Sequence, residues 1–254
     1  MFMPNCKSIY PTHLIFFMLL MVAAAFAQEA NVKLYQSNDG TISGVKINIE
    51  PPIPGLTLQY ACNVGGREFV VNEGGVCGST FPQGALRGLA VRLGGSLTND
   101  FTVSYQVTPF GQHSVTGVNG TWTGVQPPGA GGQFFRIENI RVWLTCDACT
   151  LYSGEMSTDR GSVIQPNGRT FYYNGGTPLW GFLQGPAGTD FDLYLERWNG
   201  AQWVTMASST GSTPNEKVLY TGALGGYYRW KIVSYNGTGS FNFWFRSPRD
   251  VTIN

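Results

Sequence analysis

The chain has 254 residues, of which 14% are aromatic and only 12% are charged, and it contains 34 glycines. This composition is typical of many short strands joined by tight turns, so we expect an all-β protein. A formal net charge of +1 excludes the strongly basic footprint of a protein that binds nucleic acid or an anionic membrane surface.

The first residues have the pattern of a secretory signal peptide. Lys7 precedes an apolar run over residues 14–25, which ends in the motif Ala25-Phe-Ala27. We assign residues 1–27 to the signal and expect cleavage before Gln28, which places the mature protein outside the cell. A retained membrane anchor is the alternative, but the run is shorter than the roughly 18–20 apolar residues that a spanning helix needs.

Residues 28–153 contain a repeated pattern that predicts a β-repeat domain. Segments beginning at Ile42, Leu86 and Ile137 each have an apolar residue, two small or polar residues and then strict alternation. The alternating residues expected to face a core are Val45, Ile47, Ile49, Leu89, Val91, Leu93, Ile140, Val142 and Leu144. Copies about 45–50 residues apart favour a pseudo-threefold, β-prism-like arrangement. An ordinary β-sandwich is the alternative.

The same region resembles the clostridial hydrophobic W repeat. The residues that carry the likeness are Val103-Ser-Tyr105, Gly111, Asn119-Gly120, Gly124 and the run over residues 132–144. In that family a tryptophan follows a glycine, whereas Gln112 follows Gly111 here.

Four cysteines follow the signal: Cys62, Cys77, Cys146 and Cys149. An even number in an exported chain predicts disulfides, and three pairings are possible. We favour Cys62–Cys77 with Cys146–Cys149. The C-x-x-C spacing of the second pair also suits zinc, but a structural zinc site needs a second close ligand pair.

A second module is predicted after a polar stretch without periodicity, residues 154–168, which we interpret as a linker. Within residues 169–254, alternating strands surround Leu193, Trp230 and Phe243. Asn199-Gly200, Gly225-Gly226 and Asn236-Gly237 are the expected turns between them.

This module resembles the bacterial pre-peptidase C-terminal domain. The motifs that carry the resemblance lie at residues 183–195, Trp198-Asn-Gly with Trp203, residues 207–209, and residues 226–239. The resemblance implies a jelly-roll-type β-sandwich that is appended to secreted hydrolases and serves secretion or attachment rather than catalysis.

Candidate chemical groups are few. After the signal the only histidine is His113, in a Gly- and Ser-rich stretch that predicts an exposed loop. Thr189, Asp190 and Asp192 offer the hard oxygen ligands that calcium takes, and some domains of the resembled family bind calcium. The alternative is that Asp190 caps a turn and Asp192 lies on a solvated face. We expect no other cofactor and no catalytic site.

Aromatic side chains give the leading binding hypothesis. Alternation places Trp198, Trp203 and Trp244 on or near the polar faces of their strands, where they would form an exposed strip for sugar rings or partner side chains. The predicted function is a secreted, non-catalytic protein that attaches to an extracellular polysaccharide or surface protein. The alternatives are a hydrolase that uses carboxylates or His113, and an accessory partner of a secreted protease.

Overall fold

The computed structural model describes residues 26–36, 40–78, 84–124, 136–246 and 252–253. Residues 1–25, most of the predicted signal peptide, lie outside this part of the chain. The described residues form antiparallel strands without a helix, which confirms the all-β prediction. They accordingly contain no helix that could span a membrane.

The described residues between 26 and 146 form what we call the first unit. Its strands are β1 Ala27–Glu29, β2 Asn31–Gln36, β3 Ile42–Asn48, β4 Thr57–Val64, β5 Arg67–Asn72, β6 Val76–Gly78, β7 Leu86–Gly94, β8 Phe101–Pro109, β9 Val115–Val118, β10 Thr123–Gly124 and β11 Ile137–Cys146.

Residues 149–246, with 252–253, form the second unit. Its strands are β12 Cys149–Met156, β13 Ser162–Gln165, β14 Phe171–Gly175, β15 Leu179–Gln184, β16 Asp190–Trp198, β17 Trp203–Ser209, β18 Asn215–Tyr220, β19 Leu224–Asn236, β20 Gly239–Arg246 and β21 Thr252–Ile253.

The first unit has three sheets, with strand orders β1-β11-β8-β9, β10-β7-β4-β5 and β2-β3-β6. Each sheet contains one of the three repeated strands, β3, β7 or β11. The alternating residues of these strands are buried as predicted, except that Leu93 is only partly buried. Each repeated strand pairs with an earlier strand, and the strand that follows it belongs to another sheet. A threefold axis relating the sheets stays a prediction.

The second unit is a two-sheet sandwich. One sheet has the order β12-β20-β15-β18 and the other β17-β16-β19-β14-β21, with β13 also on β19. Alternation directs Leu183 and Phe243 from the first sheet, and Leu193 and Trp230 from the second, into a shared core. Asn199-Gly200 closes the hairpin of β16 and β17, and Asn236-Gly237 lies between β19 and β20, which belong to different sheets. Gly225-Gly226 lies inside β19.

The two units are joined by two residues, Asp147 and Ala148, between β11 and β12. Residues 154–168, the expected linker, instead contain the end of β12 and all of β13. β12 pairs with β20 from Cys149 to Met156, and β13 pairs with β19. β12 is an edge strand followed by an exposed turn, which accounts for the polar composition of this stretch.

The units share a hydrophobic contact. The aromatic rings that meet there are Phe26 and Phe101 from the first unit and Trp180, Phe182 and Trp244 from the second, all buried in one cluster. Asp100, 3% exposed, accepts a hydrogen bond from the Trp180 indole at 3.0 Å and pairs with Arg246 at 3.2 Å. Phe26 belongs to the predicted signal peptide, so cleavage before Gln28 would take its ring out of this contact.

Candidate binding surfaces

Trp198 and Trp203 lie side by side on the outer face of the second unit. They are opposite each other at the end of the β16–β17 hairpin, with ring centroids 5.5 Å apart. The hairpin closes through Asn199, whose side chain accepts hydrogen bonds from the amides of Ala201 and Gln202, both at 2.9 Å. Trp198 is 38% exposed and Trp203 is half-buried, so the pair is an accessible aromatic surface.

Two tyrosines continue this surface across the sheet. Tyr172 of β14 is paired with Tyr227 of β19, and their rings meet edge to face at 5.1 Å. Since Arg197 is opposite Tyr228, the next step along both strands brings Trp198 level with Tyr227. We call Tyr172, Tyr227, Trp198 and Trp203 the aromatic row. It crosses four adjacent strands and spans roughly 14 Å at the usual strand spacing.

A charged pair holds one end of the aromatic row in place. The Arg229 guanidinium lies 4.5 Å from the ring centroid of Trp203 and donates to Glu196 at 2.6 Å. Stacking of a guanidinium on an indole face is favourable, and the carboxylate fixes the orientation of the guanidinium. The Trp203 ring is therefore held with one face on Arg229.

Trp244 does not lie on this surface, which corrects the prediction of a strip with Trp198 and Trp203. Alternation does place it on the face of β20 opposite Phe243 and Phe245, but the first unit covers that face. Its ring packs at 5.5 Å from Phe26 and is 6% exposed. Alternation within one strand reports the face and gives no information on what packs against it.

The sequence analysis did not single out Tyr172 and Tyr227. Alternation does place both tyrosines on the outer face, since each precedes a buried residue, Tyr173 or Tyr228, on its own strand. The register between β14, β19 and β16 could not be predicted, because it depends on contacts between strands that are distant in the sequence.

The predicted calcium ligands lie together at the start of β16. Thr189 donates its hydroxyl to the Pro186 carbonyl at 2.9 Å, and Asp192 accepts from the Tyr194 hydroxyl at 3.1 Å. Asp190 has a buried Oδ1 atom without a hydrogen-bond partner. Thr189 and Asp192, two of the three predicted ligands, are therefore already hydrogen-bonded to protein groups. Calcium usually takes six to eight oxygen ligands, more than these three residues supply.

Burial raises the pKa of Asp192, and the nearby charge of Asp190 raises it further, while the bond from Tyr194 acts in the opposite direction. Burial also raises the pKa of Glu216, which accepts hydrogen bonds from Ser209 and Gly211 and feels the charge of both aspartates. This acidic corner of the sandwich therefore carries negative charge that burial disfavours.

His113 is exposed in the turn between β8 and β9. Among the described residues it makes no hydrogen bond or ion pair, and the hydroxyls of Thr108 and the adjacent Ser114 are 2.8 Å apart. Over the same part of the chain there is no group of three or more His, Cys, Asp or Glu side chains placed to hold a metal ion.

All four cysteines after the signal form disulfides, Cys62–Cys77 and Cys146–Cys149. This confirms the predicted state and the favoured pairing. The first disulfide links β4 to β6, which belong to different sheets of the first unit. The second closes the short connection between the units.

Comparison with known proteins does not assign a family, because no family model matches the chain. Among solved structures, the chain is similar to a Yersinia pseudotuberculosis-derived mitogen at 17% sequence identity and a TM-score of 0.31. The match covers 41% of this chain and 93% of that one. The function is therefore inferred from the surfaces described above.

Proposed function

We propose that this is a secreted binding protein that attaches to an extracellular polysaccharide through the aromatic row. The observation that carries the proposal is the alignment of four aromatic side chains in one line across an uncovered sheet face. Tyr172, Trp198 and Tyr227 are each exposed by about two fifths, at 38%, 38% and 43%. Aromatic side chains of this size are normally more buried when they have no partner to bind.

The chemistry of the row suits sugar rings. A pyranose presents a flat face of C–H groups, which packs against an aromatic ring, while its hydroxyls remain free for hydrogen bonds. A row of roughly 14 Å can contact more than one ring of the same chain, which suits a polymer better than a single sugar. The resemblance to pre-peptidase C-terminal domains supports the same attachment role.

Adsorption to insoluble polysaccharides tests the proposal. The purified exported protein is mixed with cellulose, chitin and xylan, and the protein left in solution is measured at increasing concentration. Each aromatic contact removed is expected to cost about 1–2 kcal/mol. Trp198→Ala combined with Tyr227→Ala should therefore weaken adsorption at least tenfold on the polymer that the wild type prefers.

Tyr235→Ala provides the matched control. Tyr235 lies on β19, as Tyr227 does, and is 70% exposed, but it sits at the other end of the strand. This variant should adsorb like the wild type. Equal adsorption of the double variant and the wild type would refute the aromatic row as the attachment surface. Capture of the wild type by cell-surface proteins alone would favour a protein ligand.

A further inference from the structure

The outer face of the sheet β12-β20-β15-β18 is apolar at one end of its strands and polar at the other. At one end its side chains, including Phe182 of β15 and Trp244 of β20, are covered by the first unit. At the other end the same face carries three carboxamide side chains: Asn215 on β18, Gln184 on β15 and Asn242 on β20. Gln184 is directly opposite both of the others.

The three carboxamides form a second row across adjacent strands, about 4.8 Å apart at each step. The Asn242 Oδ1 atom is 2.8 Å from the Ser153 hydroxyl, which leaves its amide donors free. Among the described residues, the side-chain amides of Gln184 and Asn215 have no hydrogen-bond partner. Each free carboxamide presents both donors and an acceptor in one plane.

This carboxamide row is the floor of a cleft between the units. Gln28 and Pro51 of the first unit form one wall, and Phe182 and Trp244 line the inner end. Phe26 and Ala27 also line the cleft, but they belong to the predicted signal peptide, so cleavage before Gln28 opens this side of the cleft. The cleft has a volume of about 380 Å³, within the roughly 300–1,000 Å³ typical of small-molecule sites, which often lie between domains.

The side chains that line the cleft offer no free charge to a ligand, and the one charge that signal cleavage adds at its wall is the α-amino group of Gln28. The lining includes no carboxylate, and its one side-chain cation is Lys217. The Lys217 ammonium donates to Gln28 Oε1 at 2.9 Å and to the carbonyls of Pro51 and Pro52 at 2.9 and 3.2 Å. These three bonds use all of its protons, and burial lowers its pKa to about 8. The lysine therefore links one unit to the other, and a bound molecule meets neutral carboxamide side chains on the floor of the cleft.

An extended peptide is a poor occupant for this cleft. Addition of a strand needs unpaired backbone groups at a sheet edge. β15 and β20 are both paired on either side in this sheet, and a strand added to the edge strand β18 would lie beside Asn215 and away from Gln184 and Asn242. A neutral molecule rich in hydroxyls fits better, because neighbouring hydroxyls can both donate to and accept from one carboxamide plane.

We propose that the cleft between the units is a second carbohydrate site, in which Asn215, Gln184 and Asn242 bind the hydroxyls of a neutral oligosaccharide. The site lies on the opposite face of the sandwich from the aromatic row and does not depend on it. The protein then has two carbohydrate-binding faces that point away from each other.

Titration with soluble neutral hexasaccharides of glucose, xylose and N-acetylglucosamine tests this inference, with the exported protein labelled with nitrogen-15. The side-chain amide resonances of Gln184, Asn215 and Asn242 report the cleft directly. At least one of these sugars should shift them, and Gln184→Ala should weaken that binding at least tenfold. Gln112→Ala, which removes an exposed carboxamide from the β8–β9 turn, should bind like the wild type.

Two outcomes would overturn the inference: no hexasaccharide shifts these resonances, or Gln184→Ala binds with unchanged affinity. Because Gln184 is exposed, the variant should fold, and Asn215→Ser provides a second test at an exposed position. Trp198→Ala should retain binding in the cleft even if it no longer adsorbs to the polymer, which separates this inference from the proposed function.

Discussion

Asp192 and Glu216 are carboxyl groups whose ionisation opposes folding. Burial raises the pKa of both carboxyl groups, and Asp190 adds like charge nearby. Between the usual and the raised pKa, the folded state binds more protons than the unfolded state. The free energy of unfolding therefore falls as the pH rises through that window.

Asp192→Asn should remove this component, because the amide oxygen can still accept from Tyr194 while the charge is gone. Relative to the wild type, the variant should gain stability as the pH rises from about 4 to about 7, as measured by urea unfolding. Glu138→Gln, at an exposed position on β11, is the control and should follow the wild type. A variant that loses stability relative to the wild type over this range would contradict the assignment.

The same residues decide whether calcium binds. If Thr189, Asp190 and Asp192 hold the ion, added calcium raises the melting temperature of the wild type by mass action and leaves the Asp190→Asn, Asp192→Asn double variant unchanged. The same response in both proteins, or none in either, would leave these aspartates with a structural role alone.

At the scale of elements, β12 is the strand that ties the middle of the chain to the second unit. It pairs with β20 over its whole length, so a cut in the exposed turn after it does not release it. We expect limited proteolysis at Arg160 to give a nicked protein that elutes as one species in size-exclusion chromatography. Elution of a separate, folded fragment containing residues 169–254 would show that the predicted linker is a real joint.

Local pattern predicted which residues of a strand face inward, and it failed where pairing is non-local. The alternation around Val45, Val91 and Val142 identified buried strands correctly. Residues 154–168 looked like a linker because an edge strand and a tight turn are also polar and aperiodic. Gly225-Gly226 looked like a turn, but β19 begins at Leu224 and pairs there with β14.

The candidate site was predictable only in part, for the same reason. Trp198 and Trp203 adjoin one Asn-Gly turn, so their proximity follows from local sequence. Tyr172 and Tyr227 reach the row through strand register, and Trp244 is removed from it by the first unit. Neither effect has a signature within a window of ten residues.

The whole molecule should unfold as one cooperative unit, because the shared aromatic cluster and the Asp100 contacts couple the two units. Trp244→Ala removes a buried ring from this contact, and such substitutions cost about 3–5 kcal/mol. Calorimetry should show a single transition for the wild type and a lower, split transition for this variant. Trp198→Ala should leave the transition nearly unchanged, whereas two transitions in the wild type would argue for independent units.

The connection between the units has a consequence for how they behave once docked. Four residues, 146–149, reach at most roughly 14 Å when fully extended, and the Cys146–Cys149 disulfide shortens that reach further. Because the connection is short, each unit stays at a high effective concentration near the other. The two units therefore reassociate rapidly after their contact breaks, even if the area of that contact is modest. Tension applied to one unit would pass to the other without lengthening the joint, because the disulfide limits how far the units can separate.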